Sequence, residues 1–215
     1  MDDKENWFTY FEATKTKPPS ETAINAMKQF DTNKGFVIDL GCGAGIDSLF
    51  FLKNGWNVMA IDSQTDFVQQ LKEGLNKEEK NRFYIRNMQF EKMELPESVK
   101  CIIANFSLPF CRPECFMAMW ENIVDSLEDD GIFSGVFFGD KDKWAEGMSD
   151  ELTFLTKEQV LYLFQDFEIL LFSEEEFDGT SCGEDGRAIP KHWHIFRVAS
   201  KKSTNIKSSD RNLGN

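Results

Sequence analysis

The stretch Val37-Ile38-Asp39-Leu40-Gly41-Cys42-Gly43-Ala44-Gly45-Ile46-Asp47 decides the reading of this chain, because an apolar run passes into a turn with glycine at every second position. The run before the turn reads as a buried strand, and residues 46–54 behind it carry apolar side chains in helical spacing as far as Gly55, a stop signal. Glycine lacks a Cβ and adopts positive φ, so Gly41, Gly43 and Gly45 let the backbone approach a ligand where a side chain would collide. The helix N-terminus behind the turn then points at that ligand.

The spacing separates ligand classes. Dinucleotide sites use G-x-G-x-x-G, with the third glycine one position later than Gly45. That difference argues against a nicotinamide-dependent oxidoreductase. A second strand is expected over 58–61, ending in Asp62 with Ser63 beside it. An acidic residue about 20 positions beyond the loop sits at the carboxyl end of the second strand, where it accepts the hydroxyls of a ribose.

Asp39 to Gly45, followed by Val58-Met59-Ala60-Ile61-Asp62, resembles motifs I and II of the class I S-adenosylmethionine-dependent methyltransferases. The resemblance implies an α/β fold, a Rossmann-like doubly wound seven-stranded mixed sheet that is mostly parallel with an antiparallel last strand. It also implies S-adenosyl-L-methionine as cofactor, held by Asp39, Gly41, Cys42, Gly43, Ala44, Gly45, Asp62 and Ser63. The family's adenine-contacting loop falls on Asn87 to Glu91, with Gln89 where the family has an acidic residue and Phe90 offering its N–H. A Gln carbonyl can still accept from the adenine amino group. The family's fourth motif falls on Asn105 to Phe110 and implies that Asn105 and Phe106 line the methyl junction, Asn105 being also a candidate catalytic residue. The strand leading there departs from the family, with Val99-Lys100-Cys101 where an Asp is common. The later segments resemble, loosely, the tellurite-resistance methyltransferases of a small-molecule branch.

Composition bounds the alternatives. A length of 215 residues suits one domain, expected over 1–200, and 41% hydrophobic residues with 21 Phe provide a packed interior. A formal charge of −13, from 37 acidic and 24 basic residues, opposes attraction to nucleic-acid phosphates and anionic membranes. No apolar run reaches the roughly 20 residues that span a bilayer, and Met1-Asp2-Asp3-Lys4-Glu5 is too polar for a signal peptide. A cytoplasmic protein is the expectation. Five cysteines make an odd set without a disulfide-scaffold pattern, and Cys111 and Cys115 have no second ligand pair, so no metal site is expected.

Residues 1–30 read as an N-terminal lid segment, with Trp7, Tyr10 and Phe11 folding over the site, Tyr10 a candidate catalytic residue, and a helix over 21–30 capped by Ser20. Further helices are expected over 65–75, from Pro113 to Leu127, and after Thr156, where Gln159 completes a capping box. Strands are expected over 83–85, 99–105, 132–138, 169–172 and 193–199, with a turn at Asp129-Asp130-Gly131. Residues from Ser200 onward are rich in Lys, Ser and Asn, read as a disordered tail over 201–215.

Methyl transfer needs donor and acceptor held at near-attack distance more than it needs an acid–base pair. Walls for an acceptor are expected from Phe138-Gly139-Asp140 and Trp144, from the run Glu174-Glu175-Glu176 with Asp178, and from Lys191-His192-Trp193-His194. Of the two histidines, only one is expected to point into the site, and His192, nearer the strand start, is the candidate base. Aromatic and acidic walls suit a cationic or amine-bearing small molecule. The rival expectation is a catalytically silent S-adenosylmethionine-binding or partner-binding protein on the same fold.

Overall fold

The computed structural model describes Phe11, residues 14–182 and residues 187–204; Trp7 and Tyr10 lie outside the described residues. Ser20 accepts the Ala23 N–H at 3.1 Å and starts helix α1 (Glu21–Met27). There follow β1 (Phe36–Leu40), α2 (Ile46–Lys53), β2 (Asn57–Asp62), α3 (Asp66–Glu73), α4 (Lys77–Asn81) and β3 (Phe83–Asn87). The second half comprises β4 (Val99–Ala104), α5 (Pro113–Ser126), β5 (Leu127–Gly139), α6 (Ala145–Met148), β6 (Phe154–Leu155), α7 (Lys157–Leu163), β7 (Phe167–Cys182) and β8 (Ala188–Lys202). Thr156 and Gln159 form the expected capping box at α7.

The strands run β3-β2-β1-β4-β5-β8-β7, parallel except where β8 pairs antiparallel with β5 and β7. This is the doubly wound mixed sheet expected from the sequence, with two differences. An eighth strand is present: β6, two residues long, pairs parallel with the end of β5. The last two strands form a hairpin far longer than expected, and β8 continues to Lys202 because Lys202 Nζ donates to the carbonyls of Val124 and Leu127 at 2.7 and 2.6 Å. Residues 201 and 202 are therefore strand, not tail, and residues from 205 lie outside the described residues. The expected Asp129-Asp130-Gly131 turn is a bulge within β5. Asp130 has φ +61 and the β4 register jumps from Val99↔Leu127 to Cys101↔Ile132.

Alternation along the parallel strands feeds two apolar layers. On one face Trp120 of α5 packs against Phe133, Phe137 and Phe164, and its indole N–H donates to the Leu163 carbonyl at 3.2 Å. On the other, Ala23 and Ala26 of α1, Phe51 and Leu52 of α2 and Val68 of α3 cover Val37, Val58 and Ile103. The strand order reverses between β1 and β4, and the crevice at their carboxyl ends is where such sheets bind ligands.

Candidate functional site

The glycine turn leaves β1 at Leu40 and is strapped to the end of β2. The N–H groups of Gly41 and Cys42 both donate to the Ile61 carbonyl, at 2.8 and 3.0 Å. Gly43 donates to Asp62 Oδ2 at 2.9 Å and Gly45 to the Cys42 carbonyl at 2.8 Å. Four loop amides are thus satisfied within the protein, so what the loop offers a ligand is chiefly a surface without side chains. Gly41 has φ +67, and a Cβ there would lie 2.3 Å from Ser107 Cβ. Ser107 itself is fixed by donating to the Leu40 carbonyl at 2.6 Å, so it has no room to retreat. At Gly43, φ +51, a Cβ would lie 3.1 Å from the Phe11 ring, which lies across the loop edge-on to Phe67 at 5.3 Å. Phe11 is therefore placed over the loop.

Asp62 is held for a second task. Its two oxygens accept one backbone N–H each, from Gly43 and from Gln64, both at 2.9 Å. Each carboxylate oxygen keeps a further lone pair. Partial burial raises its pKa, opposed by these backbone donors. Ser63 follows it, and its carbonyl accepts Asn87 Nδ2 at 3.1 Å. The Met88 N–H donates to the Asp62 carbonyl at 3.0 Å, which brings the loop after β3 to the same edge. Gln89 there is exposed, and the Phe90 ring packs against the main core.

Asp39 is placed differently from Asp62. It is buried beneath the loop and accepts the Ser48 hydroxyl at 2.6 Å. Burial pushes its pKa up to about 8, with repulsion from Asp47 and Asp62 adding to this and the Ser48 bond opposing it. Its carboxyl braces the first turn of α2. Asp47 accepts both the N–H and the hydroxyl of Ser20, tying α1 to α2; nothing in the sequence separates it from an ordinary first-turn acid. Cys42 and Ala44 complete the loop, with the Cys42 thiol buried and pushed well above its ordinary range by desolvation.

At the end of β4, Asn105 Oδ1 accepts the Thr22 hydroxyl at 2.9 Å, and the Thr22 carbonyl accepts Ser134 Oγ at 3.0 Å. Helix α1 thereby orients Asn105, a link that the sequence separation of the partners concealed. Phe106 turns with φ +53, strained for a bulky residue. Its ring lies 5.8 Å from Trp193 and 6.3 Å from Phe138, and the Arg197 guanidinium lies over it at 5.5 Å.

Beyond Phe106 stands an aromatic box. Phe138, Trp144 and Trp193 are mutually 5.8 Å apart, and between them lies the Lys191 ammonium, 3.3 Å from the Trp193 centroid, 3.4 Å from Trp144 and 4.6 Å from Phe138. Asp142 Oδ1 lies 3.0 Å from it, both side chains being essentially inaccessible. Burial pulls the Lys191 pKa down to about 8 against the opposing pull of Asp142.

The histidines require a correction. Residues i and i+2 of a strand share a face, and His192 and His194 both lie on the face of the hairpin that carries Glu174, Glu176 and Asp178. Lys191, Trp193 and Arg197 occupy the other face, so His192 is not brought to Asn105 and Phe106. His192 Nδ1 is 2.7 Å from Asp178, which raises its pKa. His194 Nδ1 accepts the Lys141 N–H at 3.1 Å and packs over the Gly139 backbone. The acidic run is likewise engaged, through Lys157–Glu174, Arg197–Glu175 and Lys141–Glu176 pairs at 2.9 Å.

Among the described residues no helix is long and apolar enough to cross a membrane. No curated protein sequence matches the chain. Solved structures share its fold. TehB from Haemophilus influenzae superposes with a TM-score of 0.72 at 18% identity, over 90% of this chain and 66% of that one, so the chain spans a little under two thirds of that protein. The Burkholderia thailandensis 1,6-didemethyltoxoflavin-N1-methyltransferase, solved with bound 1,6-didemethyltoxoflavin and S-adenosylhomocysteine, superposes with a TM-score of 0.61 at 16% identity, over 85% and 76% of the two chains. The cyclase SpnF reaches 0.66 at 11% identity, over 94% of each chain. The family model described as tellurite resistance protein TehB matches residues 1–193. With that match, and with a sheet that reverses at β1 and β4 above a glycine turn, this chain belongs to the TehB family and has the fold of the class I S-adenosylmethionine-dependent methyltransferases.

Proposed function

We propose that the chain is an S-adenosylmethionine-dependent methyltransferase that acts on a small molecule carrying an amine or other cationic group. The observation that carries the reading is the cradle itself: a turn in which Gly41 has no room for a Cβ, closed by an Asp62 carboxylate with acceptor capacity to spare. In this reading Gly41, Cys42, Gly43, Ala44 and Gly45 hold the amino-acid and ribose parts of the cofactor, Asp62 and Ser63 the ribose, and Gln89 and Phe90 the base. The cofactor supplies an electrophilic methyl group on a sulfonium.

The chain's own residues then position the acceptor. Asn105, its carbonyl oxygen held by Thr22, has its amide N–H groups left to donate to a polar atom of the acceptor beside the reacting one and so orient it. Phe106 and Phe11 exclude water, and Phe138, Trp144 and Trp193 form the far wall. In-line displacement breaks the S–C bond as the acceptor–C bond forms, so orientation is the main contribution asked of the protein, up to roughly 7–11 kcal/mol in the best intramolecular models. Asp39 supports this site by bracing α2 rather than by touching ligand. His192 is left out of the reading because of the face it occupies.

The test is turnover. Purified protein with S-adenosylmethionine and a panel of primary, secondary and tertiary amines is expected to form S-adenosylhomocysteine only when an amine is present. Tight cofactor binding with no product from any acceptor would favour the silent binding protein instead.

A further inference from the structure

We infer that Phe138, Trp144, Trp193 and Asp142 form a receptor for an organic ammonium group, the charged end of the acceptor, and that the Lys191 ammonium is an internal stand-in that the acceptor displaces. The inference rests on the proposed acceptor chemistry and assigns its recognition to named groups.

The three rings enclose one point. Phe138 and Trp144, and Phe138 and Trp193, meet at 67°, Trp144 and Trp193 at 56°, each pair at 5.8 Å. A cation among such faces is held by the ring quadrupoles, the more strongly when it is desolvated. Lys191 is an imperfect occupant. Its ammonium has three N–H donors, yet two indole faces lie within 3.4 Å, and its Asp142 contact at 3.0 Å is an ion pair without hydrogen-bond alignment. An ammonium with alkyl groups in place of N–H fits these walls without leaving donors unpaired.

The counter-charge does not depend on Lys191 for its orientation. Asp142 Oδ1 accepts the Trp144 N–H at 3.0 Å and Oδ2 the His194 N–H at 3.3 Å, so the carboxylate is fixed by backbone. The Lys191 backbone is paired with Gly179 across the hairpin, so displacement asks only the four-carbon side-chain stem to move, not the strand. The box also borders the crevice: Phe106 lies 5.8 Å from Trp193, and its neighbour Ser107 contacts the glycine turn through Leu40. An ammonium in the box is thereby tethered beside the turn that carries Asn105.

Two measurements with tetramethylammonium as probe decide the matter. In the unaltered protein, amine-selective acylation read by peptide mass spectrometry is expected to label Lys191 several-fold faster with saturating tetramethylammonium than with tert-butanol, its neutral analogue. In Lys191→Ala, tryptophan emission is expected to be quenched saturably by tetramethylammonium at least tenfold more tightly than in the unaltered protein, and adding Trp193→Ala is expected to abolish this. Unchanged Lys191 labelling, or no saturable quenching in a Lys191→Ala protein with native circular dichroism, would overturn the receptor. Calorimetry with S-adenosylhomocysteine on the same proteins reads the cofactor site separately. Its failure would remove the methyltransferase reading while leaving the ammonium result to be judged by itself.

Discussion

Ser20 gives two hydrogen bonds to one carboxylate, its N–H to Asp47 Oδ1 at 2.8 Å and its hydroxyl to Asp47 Oδ2 at 2.5 Å, while its Oγ also caps α1 by accepting from Ala23. One residue therefore joins the helix that orients Asn105 to the helix that follows the glycine turn. Ser20→Ala removes a helix cap and a charge-assisted bond, and is expected to cost about 2–3 kcal/mol. Urea denaturation measures this. A midpoint unchanged within error would show that α1 is held by its Ala23 and Ala26 packing alone.

The glycines differ sharply in what they tolerate. Gly41→Ala places a methyl 2.3 Å from Ser107 Cβ at φ +67, and is expected to lower the urea midpoint markedly, by about 2 kcal/mol or more. Gly147→Ala, in α6 with nothing within 4 Å, is expected to be neutral or to stabilise by up to about 1 kcal/mol. Equal effects in the two variants would contradict the cradle.

Asp39 gives stability a pH dependence of definite sign. Its folded pKa, about 8, lies above the ordinary aspartate value of 3.8, so the folded state retains a proton that the unfolded chain has lost. The associated stability is complete below the unfolded pKa and declines as pH rises toward 8, by at most about 1.4 kcal/mol per pH unit. Asp39→Asn keeps an acceptor for Ser48 and has no proton to lose. Its advantage over the unaltered protein is expected to grow between pH 5 and pH 8 in urea titrations; parallel profiles would mean that Asp39 is ionised in the fold.

The legible part of this fold was its repetitive part. Apolar strands leading into Gly41 and Asp62 follow from local spacing, and Thr156 with Gln159 announces α7. The β7–β8 hairpin hid because β7 is an edge strand exposed along most of its length, so Ser173 to Asp178 shows charge where a buried strand would show alternation. Strand β6, at two residues, is too short to carry a period. At the site, Gly41 is readable because a crowded turn at positive φ requires glycine, and Asp62 because its distance beyond the loop puts it at the end of the second strand. The Thr22–Asn105 bond, the Ser20–Asp47 pair and the lysine within the aromatic box join residues far apart in the chain, and no local pattern encodes them.

The central claim is that the turn and Asp62 together hold S-adenosylmethionine. Isothermal titration of the protein with S-adenosylhomocysteine, beside Asp62→Ala, tests it most directly. Saturable binding is expected, weakened at least tenfold in Asp62→Ala, about 1.4 kcal/mol or more, with NADH giving no heat in either. Binding equally tight in the variant, or none in the unaltered protein, would contradict it.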